Sequence, residues 1–190
     1  LNLFAYARHA PERNAEIAKK NAAKYDELRQ KLSDKYDGDL TKATAEESRN
    51  LERYLTMKER YADGGSGINT KDAIGITNRF REEGKYEKYS AAMKFVDDLV
   101  KSTQQRMVSS GLIEEEVVGT WNDKYKSYVP LTGWAIDEFD SPQNSPMRVG
   151  RGFSIGGKES LAALGRQTMA FPPVTNAIKQ AYEKTIRARK

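Results

Sequence analysis

Histidine occurs once, at position 9, inside the chemically densest run of the chain: Tyr6, Arg8, His9, Glu12, Arg13 and Asn14. Imidazole changes charge near neutral pH, so a histidine among carboxylate and guanidinium groups can pass a proton or help bind an anion. Catalysis would need a nucleophile or a metal in addition, and neither is evident. There is no second imidazole to share a metal, and no carboxylate motif stands at ligand spacing beside His9. The cluster reads first as a structural or interface network that holds the N-terminal helix onto the bundle, with ligand-binding and catalytic roles as the alternatives. A helix running through Pro11 would set His9 and Arg13 one turn apart.

A second pattern lies at Gly152, Gly157 and Lys158, which match the G-x-x-x-x-G-K of a phosphate loop ahead of a helix. The position that should carry a magnesium-binding hydroxyl is Glu159, whose charge repels phosphate, and no buried strand leads in. The stretch reads as a glycine-rich loop before a helix N-terminus. A calcium loop around Gly38 fails in register, because the ligand positions would fall on Ser33, Lys35 and Asp37 and the closing glutamate on Thr44. Residues 63–67 (Asp63, Gly64, Gly65, Ser66, Gly67) could turn backbone N–H groups toward an anion, but small residues between helices read better as a flexible hinge. Trp121, Tyr125, Tyr128 and Trp134 could stack on bases. A core or subunit contact is the stronger reading for them. Cysteine is absent, which excludes disulfides, thiolate nucleophiles and Cys-based zinc sites. No cofactor or metal pattern emerges.

The elements that would carry these residues are mostly helical. The chain has 190 residues, with 38% hydrophobic and 31% charged, and its apolar positions are periodic. The spacing predicts a short helix over 2–9, a second beginning at Pro11 and running to about Lys35, and a break at Gly38. Thr44 and Glu47 form a capping box for the next helix, and Asn69 with Asp72 starts another that ends near Gly84. The best stripe is Tyr89, Met93, Val96, Val100, Thr103 and Met107, in a helix over 86–110 that Gly111 caps. Glu114, Glu115 and Glu116 then open a short helix carrying Val117, Val118 and Trp121. From Tyr125 the pattern becomes extended, with any β-structure expected between 125 and 155, and it returns to helix at 159–164 and 173–190. The last of these shows Val174, Ile178, Ala181 and Thr185 on one face. The fold class is mainly α: an irregular helical bundle over 1–124, an extended or loop segment over about 125–158, and a basic C-terminal helical arm over 159–190.

Charge is unevenly placed. Of 32 Lys and Arg and 27 Asp and Glu, residues 145–190 hold nine and two, which leaves a nearly neutral 23 and 25 for residues 1–144. The nine are Arg148, Arg151, Lys158, Arg166, Lys179, Lys184, Arg187, Arg189 and Lys190. They are the candidate nucleic-acid contacts, suited to weak DNA binding without sequence preference. No apolar run approaches the roughly 20 residues of a membrane helix, and the start of the chain does not resemble a signal peptide. Beginning at Leu1 and stopping in a charged run, the chain reads as a fragment of a longer protein.

Five segments in order, Tyr6 to Asn14, Gly64 to Ile68, Ser110 to Ile113, Tyr125 to Leu131 and Ala163 to Gln167, resemble a region of the large polyvalent proteins of tailed phages and related mobile elements. Thr132 and Ile68 depart from that pattern, which tends to have Arg and Met there. The resemblance implies a helical associated region joined to enzymatic modules in a very long chain. It also implies placement in the virion or the host cytoplasm, other domains of the same chain and other virion proteins as partners, and a role in genome ejection for some members. It implies no catalytic residue. The leading expectation is a non-enzymatic scaffold or assembly module. A nucleic-acid-binding module using the basic tail is the second, and an enzyme or ligand site at the Tyr6 to Asn14 cluster the third. With Glu159 in place of the metal-binding hydroxyl, calorimetry with ATP and magnesium should show no binding that Lys158→Ala abolishes.

Overall fold

The computed structural model describes residues 1–129, 131, 165–166, 168–169 and 172–188. Six α-helices stand among them: α1 (Asn2–Lys35), α2 (Ala45–Arg60), α3 (Thr70–Glu82), α4 (Tyr86–Ser109), α5 (Glu115–Lys124) and α6 (Pro173–Ala188), with a single 3-10 turn at Leu40–Lys42. The chain is mainly helical, as its periodicity requires. Among the described residues no strand forms, and the one β-contact is an isolated parallel bridge between Ser66 and Arg166. The glycine-rich stretch at 150–157, the expected helix at 159–164, Trp134, and Arg148, Arg151, Lys158, Arg189 and Lys190 lie outside the described residues.

The first departure from expectation is Pro11, which does not start a helix but sits inside α1. A proline there removes the N–H that would bond to the Ala7 carbonyl, a cost of about 3 kcal/mol in an isolated helix. Packing on both sides outweighs it: Phe4, Tyr6, Ala7 and Ala10 before the proline and Asn14 and Ile17 after it are all buried. A helix of 34 residues spans about 51 Å at 1.5 Å per residue, so α1 is long enough to serve as a spine. Helices α2, α3 and α6 pack along it, and α6 also packs on α4.

Local chemistry sets the other boundaries. Thr44 accepts from the Glu47 N–H while the Glu47 carboxylate accepts from the Thr44 N–H at 2.9 Å, closing the capping box of α2. The same carboxylate takes Lys35 and the Tyr36 hydroxyl, each at 2.7 Å, which ties the start of α2 to the end of α1 and, with Lys35 the foremost cause, pushes the Glu47 pKa down to about 2. Asn69 caps α3 by accepting from the Asp72 N–H at 2.7 Å. Gly111 follows α4 at φ 73°, the left-handed conformation a C-terminal cap wants.

The core gathers at the N-terminal end of α1. Phe4 meets Phe80 of α3 and Tyr86 of α4 edge-on, with centroids 5.2 and 5.5 Å apart, and such pairs add about 0.5–1.5 kcal/mol beyond burial. Met93 and Val96 of α4, Ala177 of α6, and Val129 and Leu131 from the extended segment complete the cluster. Met93, Val96, Thr103 and Met107 are buried, so the α4 stripe is a core seam as its spacing predicts. The face of α6 differs only in part from expectation, since Ala181 is buried and Val174 packs against the core. Pro173, Ala177 and Ala181 are buried, whereas Ile178 is 55% exposed. Small side chains admit α6 closely onto its neighbours, and Asn2 of α1 fixes its first turn by accepting from the Val174 N–H at 3.0 Å.

The segment at 63–67, read from sequence as a hinge, is a tightly bonded turn. A Cβ at Gly65 would come 2.8 Å from Ile17, and one at Gly67, where φ is 99°, would strike the Thr168 carbonyl. Glycine is needed at both positions for close approach, and at Gly67 also for backbone conformation. Gly67→Ala should therefore cost about 2–4 kcal/mol in urea unfolding. Gly75→Ala, on the exposed side of α3 with no atom within 4 Å of the new Cβ, should gain about 0.5–1 kcal/mol from helix propensity. A fully stable Gly67→Ala would show that residues 168–169 do not close on this turn.

Candidate functional site

Four of the segments that sequence reading singled out meet beside the first turns of α1. Asn14, 2% exposed, works with both ends of its amide. Its Nδ2 donates to the Ile68 carbonyl at 3.0 Å and to Thr70 Oγ1 at 3.1 Å, and its Oδ1 accepts from the Ser66 N–H at 2.7 Å. The Tyr6 hydroxyl donates to the Ser66 carbonyl through a short hydrogen bond. Asp63 completes the turn by accepting from the Gly64 N–H and from the N–H and hydroxyl of Thr70. Three of the turn's N–H groups are thus spent on the protein's own oxygens: Gly64 on Asp63, Ser66 on Asn14, and Gly67 on the Gly64 carbonyl at 2.8 Å. An anion would have to displace these bonds to use them.

From the other side, the Arg166 N–H donates to the Gly65 carbonyl at 3.0 Å, which brings the basic segment onto the same turn. Gly165 faces Tyr61 so closely that a Cβ would come 2.7 Å from its ring. Sequence reading placed Arg166 among surface contacts for nucleic acid. Here it is 7% exposed, buried beside the Tyr6 to Asn14 cluster, and no local pattern could have shown that. Of the other described basic candidates, Lys179 pairs with Glu183 at 4.0 Å and is largely exposed, while burial and the nearby Arg187 charge hold the Lys184 amine below its ordinary range.

The remaining cluster members divide their work. Arg8 forks onto Asp97 of α4, with nitrogen–oxygen distances of 2.9 and 2.5 Å, a bidentate pair joining α1 to α4. Glu12 accepts the Ser127 N–H at 3.0 Å and so holds the extended segment. Lys124 at the end of α5 reaches Glu16 at 2.7 Å. His9 is fully buried, edge-on to Tyr125 and Tyr128 with centroids 5.2 and 5.6 Å away. Its Nδ1 lies 3.9 Å from Glu12 Oε2, too far for a hydrogen bond, and neither ring nitrogen has a hydrogen-bond partner. Tyr125 and Tyr128 therefore serve as packing partners of the node. Trp121 is half-buried on α5.

Burial sets the protonation states. It pushes the His9 imidazole below its ordinary value; Glu12 opposes the shift, and the Arg13 and Arg8 charges add to it. For Glu12 burial acts upward, but His9 and the backbone N–H groups of Ser127 and Lys126 outweigh it and hold the carboxyl low. Burial also lowers the Arg13 guanidinium, with Tyr125 opposing and Arg166 adding to the effect. The phenols of Tyr125 and Tyr128 are pushed up by burial and stay protonated near neutral pH. At neutral pH the node holds a neutral imidazole, an ionised carboxylate and charged guanidinium groups. Among the described residues no three metal-ligating side chains gather. An open depression of 390 Å³ lies elsewhere, lined by Arg106, Ser109 and Ser110 of α4 and Thr185 and Ala188 of α6.

A depressed histidine pKa has a definite sign in stability. Above the ordinary value of 6.5 both folded and unfolded chains hold His9 neutral. As pH falls below it, the unfolded chain takes up a proton that the folded chain refuses, so stability is lost by up to about 1.4 kcal/mol per pH unit until the folded value is reached. Since the chain has a single histidine, thermal melts between pH 7 and pH 5 should show this slope and His9→Gln should flatten it. An unchanged slope in His9→Gln would place the titration elsewhere.

No family model matches the chain, and neither a curated protein nor a solved structure matches it.

Proposed function

We propose that this chain is a non-enzymatic helical scaffold module within a large phage-encoded multidomain protein, where it organises neighbouring domains. One observation carries the reading. Helix α6 has two apolar faces: Pro173, Ala177 and Ala181 lie buried in the bundle, and Ile178, Tyr182 and Ile186 face outward at 55%, 69% and 41% exposure. Isolated exposed apolar residues are ordinary on protein surfaces. Three at successive spacings of four make a continuous stripe along one helix, the pattern of a face that docks against another element.

The long spine of α1 and the cross-ties from α1 to α4 and to the extended segment give the rigid body that such docking needs. The resemblance to the polyvalent phage proteins supplies the occupant, another domain of the same chain. Other virion proteins remain partners on the same argument. The node beside α1 serves this role as the fastening of the body.

Hydrogen exchange on the complete gene product, compared with residues 1–190 alone, tests the reading. Amides over 178–186 should be more protected in the complete protein. The double substitution Ile178→Glu, Tyr182→Glu should remove that extra protection while changing the stability of residues 1–190 by no more than about 0.5 kcal/mol, as befits a surface site. Equal exchange in the two contexts would overturn the proposal.

A further inference from the structure

Helices α4 and α6 run the same way. Met93 and Val96 share the core with Ala177, and nearer the C-terminal ends Arg106 Nη1 donates to Thr185 Oγ1 at 3.2 Å. Each helix turns one edge toward the seam between them. On α4, Phe95 stands three turns before Arg106, so it lies on the edge that borders α6. On α6, Ile178 stands two turns before Thr185, on the edge that borders α4. Phe95 is 79% exposed, and it extends the outward stripe of Ile178, Tyr182 and Ile186 across the seam to a second helix. The open depression lined by Arg106, Ser109, Ser110, Thr185 and Ala188 lies where the seam ends.

Such a surface fits one shape of partner. An extended peptide binds by pairing with a free strand edge, and a helix, whose backbone bonds are internal, has none to offer. A helix laid along the seam brings side chains at spacings of three and four against apolar groups that recur at four.

The surrounding charges select the sign of that helix. Arg106 and Arg187 are exposed, Lys184 is half-buried, and none of the three is in an ion pair among the described residues. Lys179 stands 4.0 Å from Glu183. Of the acids on α4, Asp97 is held by Arg8, and Asp98 has Lys94 and Lys101 one turn to either side. Glu114, Glu115 and Glu116, at the start of α5, are ion-paired with none of these cations. The negative ends of the two helix dipoles offset part of the charge at Arg106 and Arg187. The C-terminal half of the seam is left positive. A second copy of this chain would bring the same cations against it, which disfavours self-pairing.

We propose that the seam of Phe95, Ile178, Tyr182 and Ile186 is the docking surface for an acidic amphipathic helix, whose apolar side lies along the seam and whose carboxylates sit beside Arg106 and Arg187. This rests on the scaffold reading and gives the docked element its chemistry.

The experiment titrates the 190-residue chain into three labelled synthetic helices of about 18 residues, long enough to hold helical structure in water, with fluorescence anisotropy at physiological salt as the readout. All are alanine-based. The first carries leucine at successive spacings of four with glutamate on both sides, the second has lysine for glutamate, and the third has serine for leucine. The first should bind about tenfold tighter than either of the others. Arg106→Glu with Arg187→Glu should reverse the order of the acidic and basic peptides, while Lys31→Glu, on the distant end of α1, should leave it unchanged. If the double variant melts below the wild type, Arg106→Gln alone should still narrow the preference about threefold. Phe95→Ser, at an exposed position, should weaken the acidic peptide about fivefold without lowering the melting temperature. Equal binding of the acidic and basic peptides, or a preference that the Arg106 variants leave intact, would overturn the inference. So would displacement of the acidic peptide by an equal concentration of a single-stranded oligonucleotide, which would assign the cations to nucleic acid. Loss of the peptide preference together with extra protection of 178–186 in the complete gene product would remove the acidic partner and leave the scaffold role.

Discussion

Asn14 donates from one side-chain nitrogen to the Ile68 carbonyl and the Thr70 hydroxyl and accepts the Ser66 N–H on its oxygen, so a single buried amide fixes the whole turn between α2 and α3. Much else depends on that turn being held. The start of α3 follows it directly, with Asp63 capping Thr70 from the near side. The Ser66 carbonyl so positioned receives the Tyr6 hydroxyl, and the Gly65 carbonyl receives the Arg166 N–H. Replacing Asn14 by an apolar residue would leave the Ser66 N–H buried without a partner, at a cost of about 1–3 kcal/mol for that group alone. The turn can sit this close to α1 only because Gly65 leaves room for Ile17.

The same closeness explains how the polar node and the aromatic core coexist within two turns of one helix. Phe4 points into Phe80, Tyr86 and Tyr89, while His9 points toward Tyr125 and Tyr128. Pro11 follows both, and the helix crosses it because both of its flanks are anchored. On one side Arg8 grips Asp97 of α4; on the other Glu12 and Asn14 hold the extended segment and the turn. The burial that stabilises this end is also what keeps the imidazole neutral, so the node's electrostatics are a consequence of its packing.

How much of this was legible in the sequence depends on the range of the interaction. Helix boundaries were readable because caps act over three or four residues: Thr44 with Glu47, Asn69 with Asp72, and Gly111 after α4 all behave as their local chemistry requires. The α4 seam was readable because burial along one helix repeats with the helix period. The continuity of α1 through Pro11 was not, since the contacts that outweigh the proline come from α3, α4 and the extended segment. The rotation of α6 was missed for a similar reason. A stripe of Val174, Ile178, Ala181 and Thr185 and one of Pro173, Ala177 and Ala181 share Ala181 and differ by roughly 70° around the helix, and Asn2, far away in the chain, helps hold the first turn where it sits.

The candidate site shows the same division more sharply. Tyr6, His9, Glu12, Arg13 and Asn14 could be grouped from sequence because they share two turns of one helix, and the structure keeps them together. Arg166 could not be added to them, because it is 152 residues from Asn14 and lies among basic residues whose composition suggests a surface. What moves it inward is a backbone bond to Gly65 and a glycine neighbour that tolerates the Tyr61 ring. A residue read as one charge in a basic tail is thus a buried part of the fold. The meaning of the residue changes accordingly: on a surface its charge would add one more weak, salt-screened attraction for a polyanion, while here its backbone N–H fastens the C-terminal segment to the turn between α2 and α3.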